Sequence, residues 1–324
     1  MSTSRRTILT GLASLGATAA LPAWAQLVGA QSDPYAQVDP YADPRNGFPS
    51  AAQGGMQGGQ RPNRPAQNEM FSSAANDGSA MSEADEIELG RAAYPALIKK
   101  KKGAYPDQRL QAALRDFCRP MFAVSDRPHL PWEVTLCNDP SPNAGAFAGG
   151  KVLVNMGLLA ICDRAGELAA TMAHEIGHVD KRHTARRESL TDLIEMLRKN
   201  GGMGKGLPLE QLIPNSQGEI SDLLDVFMKA YGRDDETEAD GHEMVILERL
   251  GVAPIHAIND QHNFAKLGGS GLNELASSHP RNEDRMAHIQ QLAAMQKRPQ
   301  NDFVFPGWDV LKKAFPTSPA WRKA

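Results

Sequence analysis

Residues 166–182 read GELAATMAHEIGHVDKR. At about 100° per residue, Leu168, Met172, Ile176 and Val179 fall on one face of a helix. Ala169, Ala173 and Gly177 form a neighbouring face of small side chains. A glycine inside a helix costs roughly 1 kcal/mol against alanine, so a close backbone approach at Gly177 is the expected compensation. The segment therefore predicts a helix buried almost all round as far as Asp180. Into that apolar setting the sequence places His174, Glu175 and His178. A charged glutamate is costly there unless it has a partner.

His174 and His178 are i and i+4, so both imidazoles project from one face, one turn apart. Two neutral imidazoles so spaced can grip one Zn²⁺, and Glu175, one residue on, can reach a water on the metal without being a ligand. This is the H-E-x-x-H pattern. A two-histidine site needs one more carboxylate and an acceptor for a histidine's other N–H. Downstream, YGRDDETEADGHEMVILERLG predicts a helix over 236–250, with Glu236 and Asp240 on one face. Glu236 can supply the third ligand and Asp240 the acceptor. Glu238 points away on the helical wheel and is read as solvent-facing; His242 also falls off the face and is read as structural.

Around these two segments the pattern is α+β with a small sheet. Ser82 followed by Asp85 predicts a helix cap, with Ile87, Leu89, Ala93, Leu97 and Ile98 continuing the helix and Lys99–Lys102 in its last turn. A second helix is predicted over Gln108–Phe122, and strands over Trp132–Leu136 and Lys151–Asn155. Beyond them the chain reads as mostly helical to about residue 296.

These segments resemble the gluzincin metallopeptidases of peptidase family forty-eight, which pair an H-E-x-x-H helix with a later E-x-x-A-D. Here the pairs are His174-Glu175-Ile176-Gly177-His178 and Glu236-Thr237-Glu238-Ala239-Asp240. SEADEIELGRAAYPALIKK resembles the family's first helix, NAGAFAGGKVLVNMGLL its strand and following turn, and SSHPRNEDRM its late His-Pro element, which contains His279 and Arg285. The likeness spans about residues 82–290. It implies a mostly helical zincin-type domain whose small sheet carries an edge strand beside the H-E-x-x-H helix. It also implies Glu236 as the zinc ligand, with His279 either stabilising an oxyanion or occupying the open metal position in a latent form. Arg285 is read as an ion-pair partner.

Three departures stand out. Gly145 replaces the family's aromatic residue and Ala148 its proline in NAGAFAGG; Glu243 stands where a small residue is usual; and the residues after the peptidase stretch do not read as a helical repeat domain. Glu243 shares the face of Glu236 and Asp240, where it adds charge or pairs with a base.

The N-terminus, MSTSRRTILTGLASLGATAALPAWAQ, carries Arg5-Arg6, a weakly apolar stretch and an Ala23-Trp24-Ala25 cleavage site. That layout predicts a twin-arginine-like export signal over 1–25. A membrane span is the competing reading, but the stretch falls short of about 20 apolar residues and contains Pro22. Residues 26–80, dominated by Gly, Pro, Ala, Ser, Gln and Asn, have no sustained period and read as a disordered linker. The peptidase domain is placed at 81–300. The C-terminal tail at 301–324 holds Trp308 and Trp321 and is read as a packed strap.

The whole chain of 324 residues has 35 basic and 38 acidic side chains, a net charge of −3, which leaves no broad basic surface for nucleic acid. Losing Arg5 and Arg6 with the signal makes the balance more acidic. Three cysteines, Cys118, Cys137 and Cys162, exclude a disulfide-dense scaffold; one bridge and a free thiol remain compatible with export. The expected activity is zinc-dependent hydrolysis of peptide bonds, with His174, His178 and Glu236 holding the metal, Glu175 as general base, and one Zn²⁺ per chain. The expected clients are unfolded, misfolded or outer-membrane proteins met in the periplasm, docking as an added strand along Lys151–Asn155. Two competing classes are a protease-fold chaperone or regulator with a closed metal site, and a structural zinc protein. The sequence specifies no oligomeric state.

Overall fold

The computed structural model describes residues 81–187, 224, 231–266, 279, 283–296 and 302–317. The signal and linker read at 1–80 lie outside these residues, as does Trp321. The described part is mostly helical with one three-stranded mixed sheet, the α+β class expected.

Helix α1 (Glu83–Lys100) begins at the expected cap, where Ser82 Oγ accepts the Asp85 N–H at 3.2 Å. Helix α2 (Gln108–Val124) starts on Asp107, whose carboxylate accepts the Arg109 and Leu110 N–H groups. Strands β1 (Glu133–Cys137), β2 (Ala144–Phe147) and β3 (Lys151–Asn155) form a sheet in the order β1-β3-β2. β3 runs parallel to β1 and antiparallel to β2.

This order corrects one expectation. Lys151–Asn155 is the central strand, with a neighbour on each side, and every residue in it is buried. Its unbroken Val-Leu-Val run is the signature of a strand covered on both faces, where an edge strand would alternate. The strand beside the H-E-x-x-H helix is β2, whose short Ala-Gly-Ala-Phe carries little periodic signal. The far edge, β1, is closed: the Gln111 side chain donates to Leu136 O at 2.8 Å and accepts from Leu136 N at 2.9 Å.

The turn from β2 to β3 contains Gly149 and Gly150 at φ of 68° and 78°. At Gly149 a side chain is excluded twice, because a Cβ would also lie 2.7 Å from Ile87 Cα. Across the same contact, a Cβ on Gly90 would strike Ala148 O. α1 therefore seats directly on the turn that sets the β2–β3 register.

A short helix α3 (Met156–Leu159) leads to α4 (Ala165–Asp180), which holds the H-E-x-x-H segment. Its N-terminus is closed by Glu167 Oε2, which accepts the Asp163 N–H at 2.7 Å. From Gly166 to Asp180 every residue is buried, Asp180 included. Leu168, Met172 and Ile176 are among the largest fully buried side chains, and truncating such a residue to alanine costs about 2–5 kcal/mol. α5 (Arg233–Leu250) packs along α4 at the small-residue face: a Cβ on Gly177 would lie 3.1 Å from Ala239 O. The anticipated close approach at Gly177 is thus the α4–α5 contact.

Helices α6 (Ile255–Ala265) and α7 (Glu283–Met295) complete the cover. After them, residues 302–317, with α8 (Trp308–Ala314), pack as a strap on α2: Phe305 stacks on Phe117 with centroids 4.5 Å apart. The three cysteines are free and buried. Burial pushes the Cys137 thiol up to about 12, which makes it an inert core group. No helix among the described residues is long and apolar enough to cross a membrane.

Candidate metal centre and active site

α4 and α5 bring the predicted residues together. His174 Nε2 and His178 Nε2 lie 3.1 Å apart. Glu236, on the first turn of α5, places Oε2 3.5 Å from His174 Nε2 and Oε1 3.6 Å from His178 Nε2. With His279, ligand atoms from these residues all fall within 4.8 Å of one another, and all four residues are buried. Such a group can hold a metal ion. Asp240, one turn after Glu236, sets Oδ1 3.1 Å from His174 Nδ1, the place assigned to it in the sequence.

Glu175 reaches β2 and His279. Its Oε2 accepts the Ala146 N–H of β2 at 2.8 Å, and its Oε1 lies 3.3 Å from His279 Nε2. The carboxylate is thus held between the edge strand and the metal cluster, with only one of its oxygens fixed by the backbone. His279 Nδ1 is 3.0 Å from Glu236 Oε1, so this imidazole bridges Glu175 and Glu236. Arg285, from α7, lies 2.6 Å from both Glu236 Oε2 and Asp240 Oδ1, as an ion-pair partner should.

Glu175, Glu236, Asp240 and Glu243 share one buried region, where they meet the Arg285 guanidinium and the His174 and His279 imidazoles. Burial disfavours a charged His174, but Asp240, Glu236 and Glu243 outweigh it and raise its pKa well above the usual value. His279 is raised to about 9, burial being overcome by Glu175 and Glu236. For His178, burial and the neighbouring His174 and His279 charges act together and hold it neutral, the state that ligates metal. Glu236 is held far below the carboxylate range: burial opposes its charge, and His279, then His174, overcome that. Glu243 is buried 3.7 Å from His174 Nδ1, and burial pushes its pKa up.

The other residues fall as follows. His242 is buried away from the cluster and bonds Asp180 Oδ2 at 2.7 Å, a structural position as read. Glu238 is exposed as read, yet its carboxylate lies 3.0 Å from His183 Nε2. Sequence reasoning missed two aromatic neighbours of His178. His183 Nδ1 is 2.7 Å from His178 Nδ1, and the Tyr231 ring stacks on His178 with centroids 3.8 Å apart. The signal for the first was a histidine five residues past His178, where the helix ends. Tyr231 stands just ahead of α5. A cleft opens beside Glu175, lined by Ala144, Thr171, Asp260, Phe264 and His279.

The model of peptidase family M48 matches residues 108–293, more than half of the chain. The chain belongs to peptidase family M48. Among curated proteins, it is 29% identical over 198 residues to "Mitochondrial metalloendopeptidase OMA1" of Schizosaccharomyces pombe, covering 59% of this chain and 56% of that one. It is 26% identical over 237 residues to "Beta-barrel assembly-enhancing protease" of Escherichia coli, covering 68% and 46%. "Metalloprotease YcaL" of Escherichia coli is 28% identical over 156 residues, covering 48% and 59%. The chain spans about half the length of the curated relatives it matches. M48 membership covers the stretch that holds α4 and α5, and so both halves of the cluster.

Proposed function

We propose that the protein is a zinc-dependent endopeptidase, with His174, His178 and Glu236 as ligands and Glu175 as general base. The observation that carries this is the convergence of two imidazole Nε2 atoms and the Glu236 carboxylate in one buried place. Ligands about 2.0–2.1 Å from a tetrahedral zinc lie about 3.3–3.4 Å from one another. Here the two Nε2 atoms stand 3.1 Å apart, and Glu236 offers Oε2 at 3.5 Å from that of His174 and Oε1 at 3.6 Å from that of His178. Zinc bound there supplies a Lewis acid that polarises a carbonyl and acidifies water. Asp240 and Arg285 keep His174 and Glu236 oriented toward it. Glu175 takes a proton from water and returns it to the leaving amine; the Ala146 N–H holds one carboxylate oxygen and leaves the other to work.

An extended peptide adds to β2 at Ala144, the main-chain groups of Ala146 being engaged by Glu175 and Tyr231. One side of that strand pairs with β3, and the other turns toward α4 and the cleft at Ala144. Main-chain pairing selects unfolded chain over folded surface. Together with the expected signal at 1–25 and the relative named for β-barrel assembly, this supports a periplasmic protease acting on misfolded or outer-membrane proteins. Digestion of casein by the full chain, with and without chelator, beside Glu175→Gln, tests the reading. Glu175→Gln is expected to lower kcat/KM by about 10²–10⁴ while keeping its metal. Equal digestion by all three samples ends the proposal.

A second reading concerns regulation: the His279 bridge favours a latent protease in which this imidazole must leave before substrate enters. His279→Ala is then expected to digest casein faster than the wild type. A slower variant assigns His279 to catalysis instead.

A further inference from the structure

α4 ends in an unusual way. Arg182 has φ of 58°, the left-handed region that a helix C-terminus usually gives to glycine. His183 N–H bonds back to His178 O at 2.9 Å, and Arg182 N–H to Val179 O at 3.0 Å. These two bonds define a Schellman turn, and its effect is to fold residue 183 back beneath residue 178. An L-residue in this conformation is strained, so something must hold it. Arg182 Nε donates to Glu86 Oε2 at 3.1 Å, and Glu86 is itself buried against Arg127. The turn is thus pinned from α1.

Its product is a chain of three side chains. His183, 1% exposed, faces the Glu238 carboxylate through Nε2 at 3.0 Å and His178 Nδ1 through Nδ1 at 2.7 Å. A carboxylate accepts only, so Nε2 of His183 carries the proton. The bare Nδ1 of a neutral His183 then accepts from His178 Nδ1–H. That leaves His178 Nε2 without a proton, facing His174 Nε2 and Glu236. We infer that His183, anchored by Glu238, is a positioning residue that fixes the tautomer and ring orientation of His178 for metal binding. It touches neither metal nor substrate. The Tyr231 ring, stacked on His178 at an interplanar angle of 14°, leaves rotation in the ring plane as the freedom that His183 removes. The inference rests on His178 being a ligand, as proposed above.

Two readouts on the full chain test it. Imidazole ¹⁵N chemical shifts of metal-free wild type are expected to give His178 as the Nδ1–H form, and His183→Leu a mixture. An Nε2–H His178 in the wild type overturns the inference, whatever the protein does with metal. In competition with a chromophoric chelator, His183→Leu is expected to bind zinc about 10–100-fold more weakly, with a changed cobalt(II) visible spectrum. His183→Asn keeps an acceptor oxygen where Nδ1 lies and is expected to restore both affinity and spectrum to near wild type. Unchanged zinc affinity and spectrum in His183→Leu overturn the inference, as does failure of His183→Asn to rescue. A wild type that binds no zinc but carries the Nδ1–H tautomer sinks the zinc reading and leaves the orientation by His183 standing.

Discussion

The α4–α5 pair carries two clusters of histidine and acid, and they differ in what balances the charge. Near the cluster's ligands, His174, His178, Glu236 and Asp240 are buried, and two imidazole nitrogens face each other at 3.1 Å. At the C-terminal end of α4, Asp180, His242 and Asp126 also come within ligating distance of one another. There His242 Nε2 is spent on Asp180, and Asp180 also accepts the Asp126 N–H. Asp126 is exposed and neutralised by Arg249 at 2.8 Å and Lys181 at 3.7 Å. At the first cluster the Glu236 carboxylate meets Arg285 and two imidazole nitrogens; at the second a single imidazole is already engaged by Asp180 Oδ2. Ligand types in proximity do not by themselves make a metal site: the first cluster offers two imidazoles and a carboxylate that could hold one ion, the second a single imidazole already spent on Asp180.

The largest expected effect separates the clusters outright. His174→Ala should lose bound zinc, read by metal analysis after dialysis, while His242→Ala should retain one equivalent. A folded His242→Ala that has lost its zinc breaks the comparison. The two arginines give the next contrast. Arg285 is 7% exposed between two carboxylates, and Arg285→Leu should lower unfolding free energy by about 3–5 kcal/mol in denaturant titration. Arg249→Leu removes a surface pair and should cost less than about 1 kcal/mol.

The smallest effect is pH dependence at the outer cluster. Burial raises the Asp126 carboxyl, but the Arg249 hydrogen bond, His242 and Lys181 outweigh it and hold the pKa below its ordinary 3.8. A depressed carboxylate stabilises the fold above its unfolded value and loses that contribution as pH falls through the folded one. The Tm gap between wild type and Asp126→Asn should therefore be constant at neutral pH and close below about pH 3.8. A gap that widens on acidification has the wrong sign.

The helical part of the site was legible because its information is local. His174 and His178 share a face by arithmetic, and so do Glu236 and Asp240. The small-residue face at Gly177 announced a neighbour without naming it; the neighbour is α5 at Ala239. The β2 strand was not legible as an edge. Four residues with one large side chain carry no usable period, and only pairing with β3 makes Ala144–Phe147 a strand. The same lack of period put the docking edge on Lys151–Asn155, whose apolar run was visible but whose two partners were not. His183 was passed over because a histidine beyond a helix end has no face until the turn at Arg182 supplies one.

By itself the sequence determined the i, i+4 spacing of His174 with His178 and of Glu236 with Asp240, the buried character of α4 and the likeness to a metallopeptidase family. Periodicity and side-chain chemistry do not depend on where the rest of the chain lies. Only the tertiary structure decided that Glu175 is held by the edge strand and bridged by His279, that β3 is central, and that His178 is backed by His183 and Tyr231. Each of these joins segments distant in sequence or turned by a strained backbone. Their energies come from burial and hydrogen bonding across elements, which no local pattern encodes.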